Sequence, residues 1–195
     1  RLYFRYFAIA VIIHIFWANS HGSFLVGIGL PFLFAAGIFS QQLVTTIFRK
    51  EAFKLTKKFY WLVFLGLLFA VSSLINPLGW HLIEHVYQLS QNNFIKAAIF
   101  EWKGTFSEIV RSTKIFDFYL IFLSVLLPTL LLRFKKLNIT SIFLLGIFGY
   151  LSVEAQRHIA VFAIASVLPL ALMLHGSWHQ SPLKWLVQFC ISLTL

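Results

Sequence analysis

Long apolar runs separated by short polar or basic interruptions make up this chain, and that alternation limits what it can fold into. Of its 195 residues, 59% are hydrophobic and only 11% are charged, against about 25% charged residues in an average soluble domain. A helix needs about 20 mainly apolar residues to cross a bilayer. The alternation therefore predicts an all-α, polytopic integral membrane protein.

The positions of the runs predict about six to seven transmembrane helices. The predicted spans cover residues 2–18, 24–48, 59–75, 116–132, 138–153 and 159–174, and a seventh begins at Trp185. The polar break at 154–158 predicts a tight hairpin, because one continuous helix over 138–174 would be about 55 Å long. We expect one transmembrane domain over residues 1–195, cut from a longer protein, since the sequence begins at Arg1 and ends inside an apolar run.

Basic residues are concentrated at the ends of the runs and give the chain a formal net charge of +10. Two clusters, at 49–58 and 133–136, fall on one side of a membrane when the predicted spans alternate. Cytoplasmic loops carry an excess of Lys and Arg, so we place both clusters in the cytoplasm and expect a lipid bilayer, not nucleic acid, as partner. The interval 77–115 then becomes an extracytoplasmic loop.

The piece at 81–95 within that loop has amphipathic spacing. It predicts a helix lying along the membrane interface, whose polar edge, with His81 and His85, either faces water or lines a substrate cleft. The pentapeptide at 81–85 also matches the H-x-x-E-H pattern of inverted zinc peptidases. A catalytic zinc ion would need a third protein ligand, for which Glu101 or Glu108 are the candidates. We assign no metal ligand here, and a divalent metal ion stays open as a cofactor.

Polar residues at three other places are candidates for a site. Arg157 and His158 interrupt the apolar sequence, and ionisable groups between spans are functional candidates by default. The alternative is an ordinary hairpin in which Glu154 and Arg157 neutralise each other. Glu101, beside Trp102, is either a base or ligand or the point where the chain leaves the surface. Asn19 and His21 lie in an uncharged turn, where a plain loop role is the alternative.

Four short motifs give the chain a family resemblance. They are Trp17–Phe24 (WANSHGSF), Ile75–Trp80 (INPLGW), Ile99–Trp102 (IFEW) and Arg157–Phe162 (RHIAVF). Their order and spacing resemble the later membrane part of a bacterial polytopic family similar to glycosyltransferases of the GT-C superfamily. The chain departs from the pattern at Ser20, Ser23 and Leu78.

The resemblance implies transfer of a sugar from a polyprenyl-phosphate carrier on the extracytoplasmic face of a bacterial inner (cytoplasmic) membrane. The usual catalytic acid of that superfamily would lie before this sequence begins, so the catalytic residue stays unknown. The substrate-binding residues we expect are Arg157, His158, Glu101, His81, His85, His21 and Asn19. The alternatives are a transporter or flippase of a lipid-linked or anionic substrate, an O-antigen ligase or polymerase-like enzyme, and a non-catalytic membrane subunit.

Overall fold

The computed structural model describes residues 2–175, and these residues form helices joined by turns without any β-strand. The α-helices are α1 (Leu2–Ser20), α2 (Phe24–Arg49), α3 (Lys57–Ser72), α4 (His81–Gln91), α5 (Asn93–Ala98), α6 (Glu108–Arg111), α7 (Lys114–Arg133), α8 (Ile139–Glu154), α9 (His158–Ala165) and α10 (Val167–Leu174). Two short 3-10 helices cover Phe100–Trp102 and Phe134–Lys136. The predicted all-α class is confirmed.

Contacts group the chain into two compact units, Arg1–Asn93 and Phe94–Leu195, and each is described by itself. The single domain expected from the sequence stays a prediction. The predicted seventh span, with Lys184 and Cys190, lies outside the described residues.

A buried histidine organises the first unit, where α1, α2 and α3 pack together. The His14 side chain is 2% exposed, and its ring stacks on Phe69 of α3 with the centroids 4.4 Å apart. Phe24 of α2 presents its ring to the same imidazole at 6.3 Å. Gly27 of α2 lies so near that an added Cβ would be 2.9 Å from His14 Nδ1. The absence of a side chain at Gly27 therefore lets α2 approach α1.

A helical hairpin formed by α8 and α9 organises the second unit. The Phe162 ring of α9 lies against Gly149 of α8, 3.5 Å from where a Cβ would be. Phe122 of α7 meets Phe162 at right angles, with the ring centroids 5.4 Å apart. Gly149 and Phe162 lie before and after the polar break at 154–158, so their contact shows that the chain reverses direction there. The predicted hairpin at 154–158 is therefore confirmed.

The predicted number of membrane spans is wrong for the described residues. Within them, two helices are long and apolar enough to cross a bilayer, Phe24–Arg49 and Lys114–Lys136. The runs predicted as the third and fifth spans form α3 and α8, with 16 residues each, or about 24 Å against a hydrocarbon core of about 30 Å. The run predicted as the sixth is interrupted at Ser166, between α9 and α10.

This count also overturns the predicted multi-pass location in a bacterial inner membrane, which required six or seven spans.

The predicted loop at 77–115 is a succession of short helices, α4 to α6, with the 3-10 turn Phe100–Trp102 among them. The helix predicted within 81–95 is confirmed as α4, which leaves Trp80 and Tyr87 more than half exposed.

The approach of α2 to His14 can be tested with two glycines of the same helix. Gly27→Ala should lower the free energy of unfolding by about 1–3 kcal/mol, as overpacking does, because its Cβ would press on the buried His14 ring. Gly29→Ala is the matched control, since an added Cβ there meets nothing within 4 Å, and it should stabilise the helix by up to about 1 kcal/mol. Denaturant unfolding measures both, and equal effects would contradict the packing described.

Candidate functional site

The corner of the α8–α9 hairpin, residues 152–158, is bound to the connecting segment, residues 100–107. The Gln156 amide donates to the Lys103 carbonyl at 3.0 Å, and the Arg157 amide donates to the Glu101 carbonyl at 3.2 Å. In the other direction, the Thr105 amide donates to the Val153 carbonyl at 3.1 Å. Amides at the start of a helix have no partner within it. The connecting segment satisfies them and so fixes the corner.

Buried hydroxyl groups strengthen this attachment. Thr105 is fully buried, and its hydroxyl donates to the Ser152 carbonyl. Ser152 Oγ donates to the Gly149 carbonyl at 2.7 Å and lies 2.9 Å from the Tyr119 hydroxyl. Sequence reasoning did not select Thr105, Ser152 or Tyr119. Ser152 and Tyr119 lie inside apolar runs, where an isolated polar residue is the signal, whereas nothing in the polar stretch around Thr105 distinguishes that residue.

The Arg157 guanidinium is held over an indole ring. Its Cζ lies 3.7 Å from the Trp102 ring centroid, at a distance where cation–π attraction is effective. Its Nε donates to His158 Nε2 at 3.3 Å. Trp102 lies in the 3-10 helix Phe100–Trp102, where its amide donates to the Ile99 carbonyl at 3.1 Å. The motifs Ile99–Trp102 and Arg157–Phe162 therefore come together at one place.

The two terminal nitrogens of Arg157 have no partner within residues 2–175. Among the described residues, neither donates a hydrogen bond, and no carboxylate forms an ion pair with Arg157. The alternative in which Glu154 neutralises Arg157 is therefore wrong. Burial lowers the pKa of Arg157, and the Glu101 carboxylate raises it in part. The guanidinium stays protonated, so the corner presents a half-buried cation.

His158 serves as the acceptor that orients Arg157. Because Nε2 accepts the Arg157 Nε hydrogen, the neutral ring carries its own hydrogen on Nδ1. Burial lowers the pKa of His158, and the neighbouring Arg157 charge lowers it further. Both causes favour the neutral ring, which is the form that can accept.

Asn19 brings the two remaining motifs together in the first unit. Its Nδ2 donates to the carbonyls of Ile15 and Ile75, each at 2.8 Å. The following turn is closed by Asn76, whose Oδ1 accepts from the Leu78 amide at 2.8 Å. Gly79 adopts φ +54°, which glycine takes without the strain a side chain would cause. Asn19 thus holds α1 to the chain that follows α3, and Asn76 shapes the turn there.

His21 belongs to a short chain of hydrogen bonds in the α1–α2 turn. Trp17 Nε1 donates to Ser23 Oγ at 3.0 Å, and Ser23 Oγ lies 2.7 Å from His21 Nδ1. The Ser23 amide donates to the same nitrogen at 3.0 Å. His21 Nδ1 is therefore an acceptor, and its ring fixes the turn that begins α2.

His81 and His85 both lie exposed on α4. His81 Nδ1 pairs with Glu84 Oε2 at 3.2 Å, and Gln88 Nε2 donates to the other Glu84 oxygen at 3.2 Å. His85 takes part in neither contact. No three histidine, cysteine, aspartate or glutamate side chains gather into a possible metal site within residues 2–175.

The predicted site residues therefore fall into two groups. Glu101, Arg157 and His158 come together in the second unit, while Asn19, His21, His81 and His85 belong to the first. In the second unit the Glu101 carboxylate is exposed and its carbonyl holds the corner. Together these features define a cationic corner, made of an oriented guanidinium on an aromatic support.

Comparison with known proteins assigns neither a family nor a function to this chain. No protein-family model, no curated protein and no solved structure matches this chain.

The lowered pKa of His158 makes a prediction about stability and pH. The unfolded ring takes up a proton near its ordinary pKa of about 6.5, whereas the folded ring does so only at lower pH. Stability is then complete above that pKa and falls as the pH drops towards the folded value. Thermal unfolding between pH 7.5 and 5 should show a steeper loss for the parent protein than for His158→Gln. Equal losses would contradict the shift.

A second prediction concerns metal. Changing both His81 and His85 to Gln should leave the metal content of the purified protein unchanged, because His81 is engaged by Glu84 and no third ligand gathers among the described residues. Elemental analysis after dialysis measures this, with the single variant His175→Gln as control. Stoichiometric zinc that disappears in the double variant alone would restore the zinc-peptidase alternative.

Proposed function

We propose that this chain is part of a glycosyltransferase-like protein, and that its cationic corner holds the phosphate of a polyprenyl-phosphate-linked sugar. The observation that supports the proposal is the Arg157 guanidinium, half-buried over Trp102 and without a protein partner for its terminal nitrogens. A guanidinium can give two parallel hydrogen bonds to a phosphate. A partly desolvated cation is costly unless anions or hydrogen-bond acceptors satisfy it, and the terminal nitrogens of Arg157 have no acceptor among the described residues.

The same geometry suits the departure of a phosphate. In sugar transfer, the acceptor hydroxyl attacks the anomeric carbon, and the bond to the phosphate oxygen breaks with its electron pair staying on that oxygen. Donors fixed in advance where charge develops lower the barrier, because they need no reorganisation during the reaction. Trp102 covers one face of the Arg157 guanidinium, and His158 accepts the hydrogen bond from its Nε. The two terminal nitrogens are therefore the groups that would bind the phosphate.

The other residues of the corner support Arg157 and do not compete with it. The Glu101 carbonyl holds the Arg157 amide, while its exposed carboxylate maintains the charge of the guanidinium without forming an ion pair. Neutral His158 accepts without adding a second positive charge. We assign no base for the acceptor hydroxyl among the residues described.

Arg157→Lys tests the proposal. Lysine keeps the charge but cannot offer two parallel donors, so transfer from a polyprenyl-phosphate sugar should fall by about 10–100-fold, the loss of about 1.5–3 kcal/mol for a charged hydrogen bond. Arg111→Lys, an exposed arginine of α6, is the matched control and should leave transfer unchanged.

A second variant separates binding from folding. Trp102→Leu removes the aromatic support and should weaken binding of polyprenyl phosphate, measured by native mass spectrometry, while far-ultraviolet circular dichroism stays the same. Parent-like transfer and parent-like phosphate binding by Arg157→Lys, at parent protein levels, would overturn the proposal.

A further inference from the structure

The connector between α2 and α3, residues 49–58, carries an unusual density of positive charge. Five of its ten residues are basic and one, Glu51, is acidic. The basic residues are all exposed: Arg49, Lys50, Lys54, Lys57 and Lys58. Like charges so close together repel each other, so an external anion would relieve an unfavourable arrangement.

This connector is held in place against α2. Lys50 ends α2 in the left-handed conformation, with φ 56°. Gln42 Nε2 donates to the Ala52 carbonyl at 3.2 Å, and the Phe53 ring packs edge-on against Phe39 at 5.7 Å. The folded-back connector therefore displays its basic side chains at one end of α2, instead of leaving them on a loose chain.

Four of these five cations have no partner within the part of the chain that the structure describes. Arg49, Lys50, Lys54 and Lys57 form no hydrogen bond or ion pair with any residue the structure describes. The interval 94–117 differs in composition, because its four basic residues are interspersed with three acidic ones: Lys96, Lys103, Arg111 and Lys114 with Glu101, Glu108 and Asp117. The local excess of positive charge therefore favours an anionic partner at the connector.

Apolar side chains directly before the connector show what kind of partner fits. The helix Phe24–Arg49 is long and apolar enough to cross a bilayer, and Leu43, Val44 and Ile47 near its end are exposed. Phe48 is 80% exposed and directly precedes Arg49. The exposed side chains thus change from apolar to basic within one residue. This matches the change from acyl chains to headgroups at the surface of a bilayer. A nucleic acid would contact the charges and leave the apolar side chains in water.

We propose that residues 49–58 bind the headgroups of anionic phospholipids, with the exposed apolar side chains at the end of α2 against the acyl chains. Each Lys or Arg near an anionic lipid surface contributes about a fivefold gain in affinity. The contribution falls with salt, because the Debye length shortens from about 10 Å at 0.1 M to about 3 Å at 1 M.

The experiment measures lipid binding by the full chain in a neutral detergent. Native mass spectrometry counts bound phosphatidylglycerol and phosphatidylcholine at matched concentrations. The parent protein should prefer phosphatidylglycerol, and raising the salt should reduce that preference. The triple variant Lys50→Gln, Lys54→Gln and Lys57→Gln should lose on the order of 100-fold in affinity for phosphatidylglycerol while binding phosphatidylcholine as before.

The matched control removes three charges elsewhere, in Lys96→Gln, Arg111→Gln and Lys114→Gln. It should keep the preference for phosphatidylglycerol within about fivefold, which separates a local site from an effect of net charge. Equal losses in the two triple variants would overturn the proposal. So would a short duplex nucleic acid that binds the connector more tightly than phosphatidylglycerol at 0.15 M salt. Neither outcome depends on the Arg157 site.

Discussion

Backbone amides left without partners at a helix start are the constraint on which the second unit depends. The α8–α9 hairpin reverses within a few residues, and the amides of Gln156 and Arg157 find no acceptor inside their own helix. The carbonyls of Glu101 and Lys103 satisfy them. Because these acceptors flank Trp102, the hydrogen bonds that complete the hairpin also bring the indole ring under the guanidinium. Backbone bonding and the cationic corner therefore have one origin.

Much of the local structure follows from the sequence. Polar residues at 154–158 between two apolar runs are incompatible with one long helix, and the hairpin forms there. Amphipathic spacing at 81–91 gives α4. Apolar runs alone do not fix helix length, however. The run at 159–174 breaks at Ser166, where Pro169 has no amide hydrogen for the Ala165 carbonyl. Composition therefore overestimated the number of spans.

Composition and spacing could not predict which of the four motifs lie in contact with each other. The motif at 17–24 meets the one at 75–80 through Asn19, and the motif at 99–102 meets the one at 157–162 through Arg157. Each pair is joined by hydrogen bonds to backbone carbonyls, and any residue type supplies a carbonyl. The hydropathy and charge of a sequence do not indicate bonds to backbone carbonyls. Candidate residues could therefore be chosen from the sequence, but their hydrogen-bond partners could not.

The attachment of the connecting segment to the hairpin corner has a consequence for how the second unit assembles. Thr105 and Ser152 are 47 residues apart in the chain, so their contact must close a long loop, whose entropic cost grows only slowly with length. Trp102 and Arg157 can meet only in a chain in which α7 and α8 have folded back. The corner should therefore form late and as a whole. The amides of Thr105, Gln156 and Arg157 would then share one opening event in hydrogen exchange, and a partly folded chain would have no part of the corner.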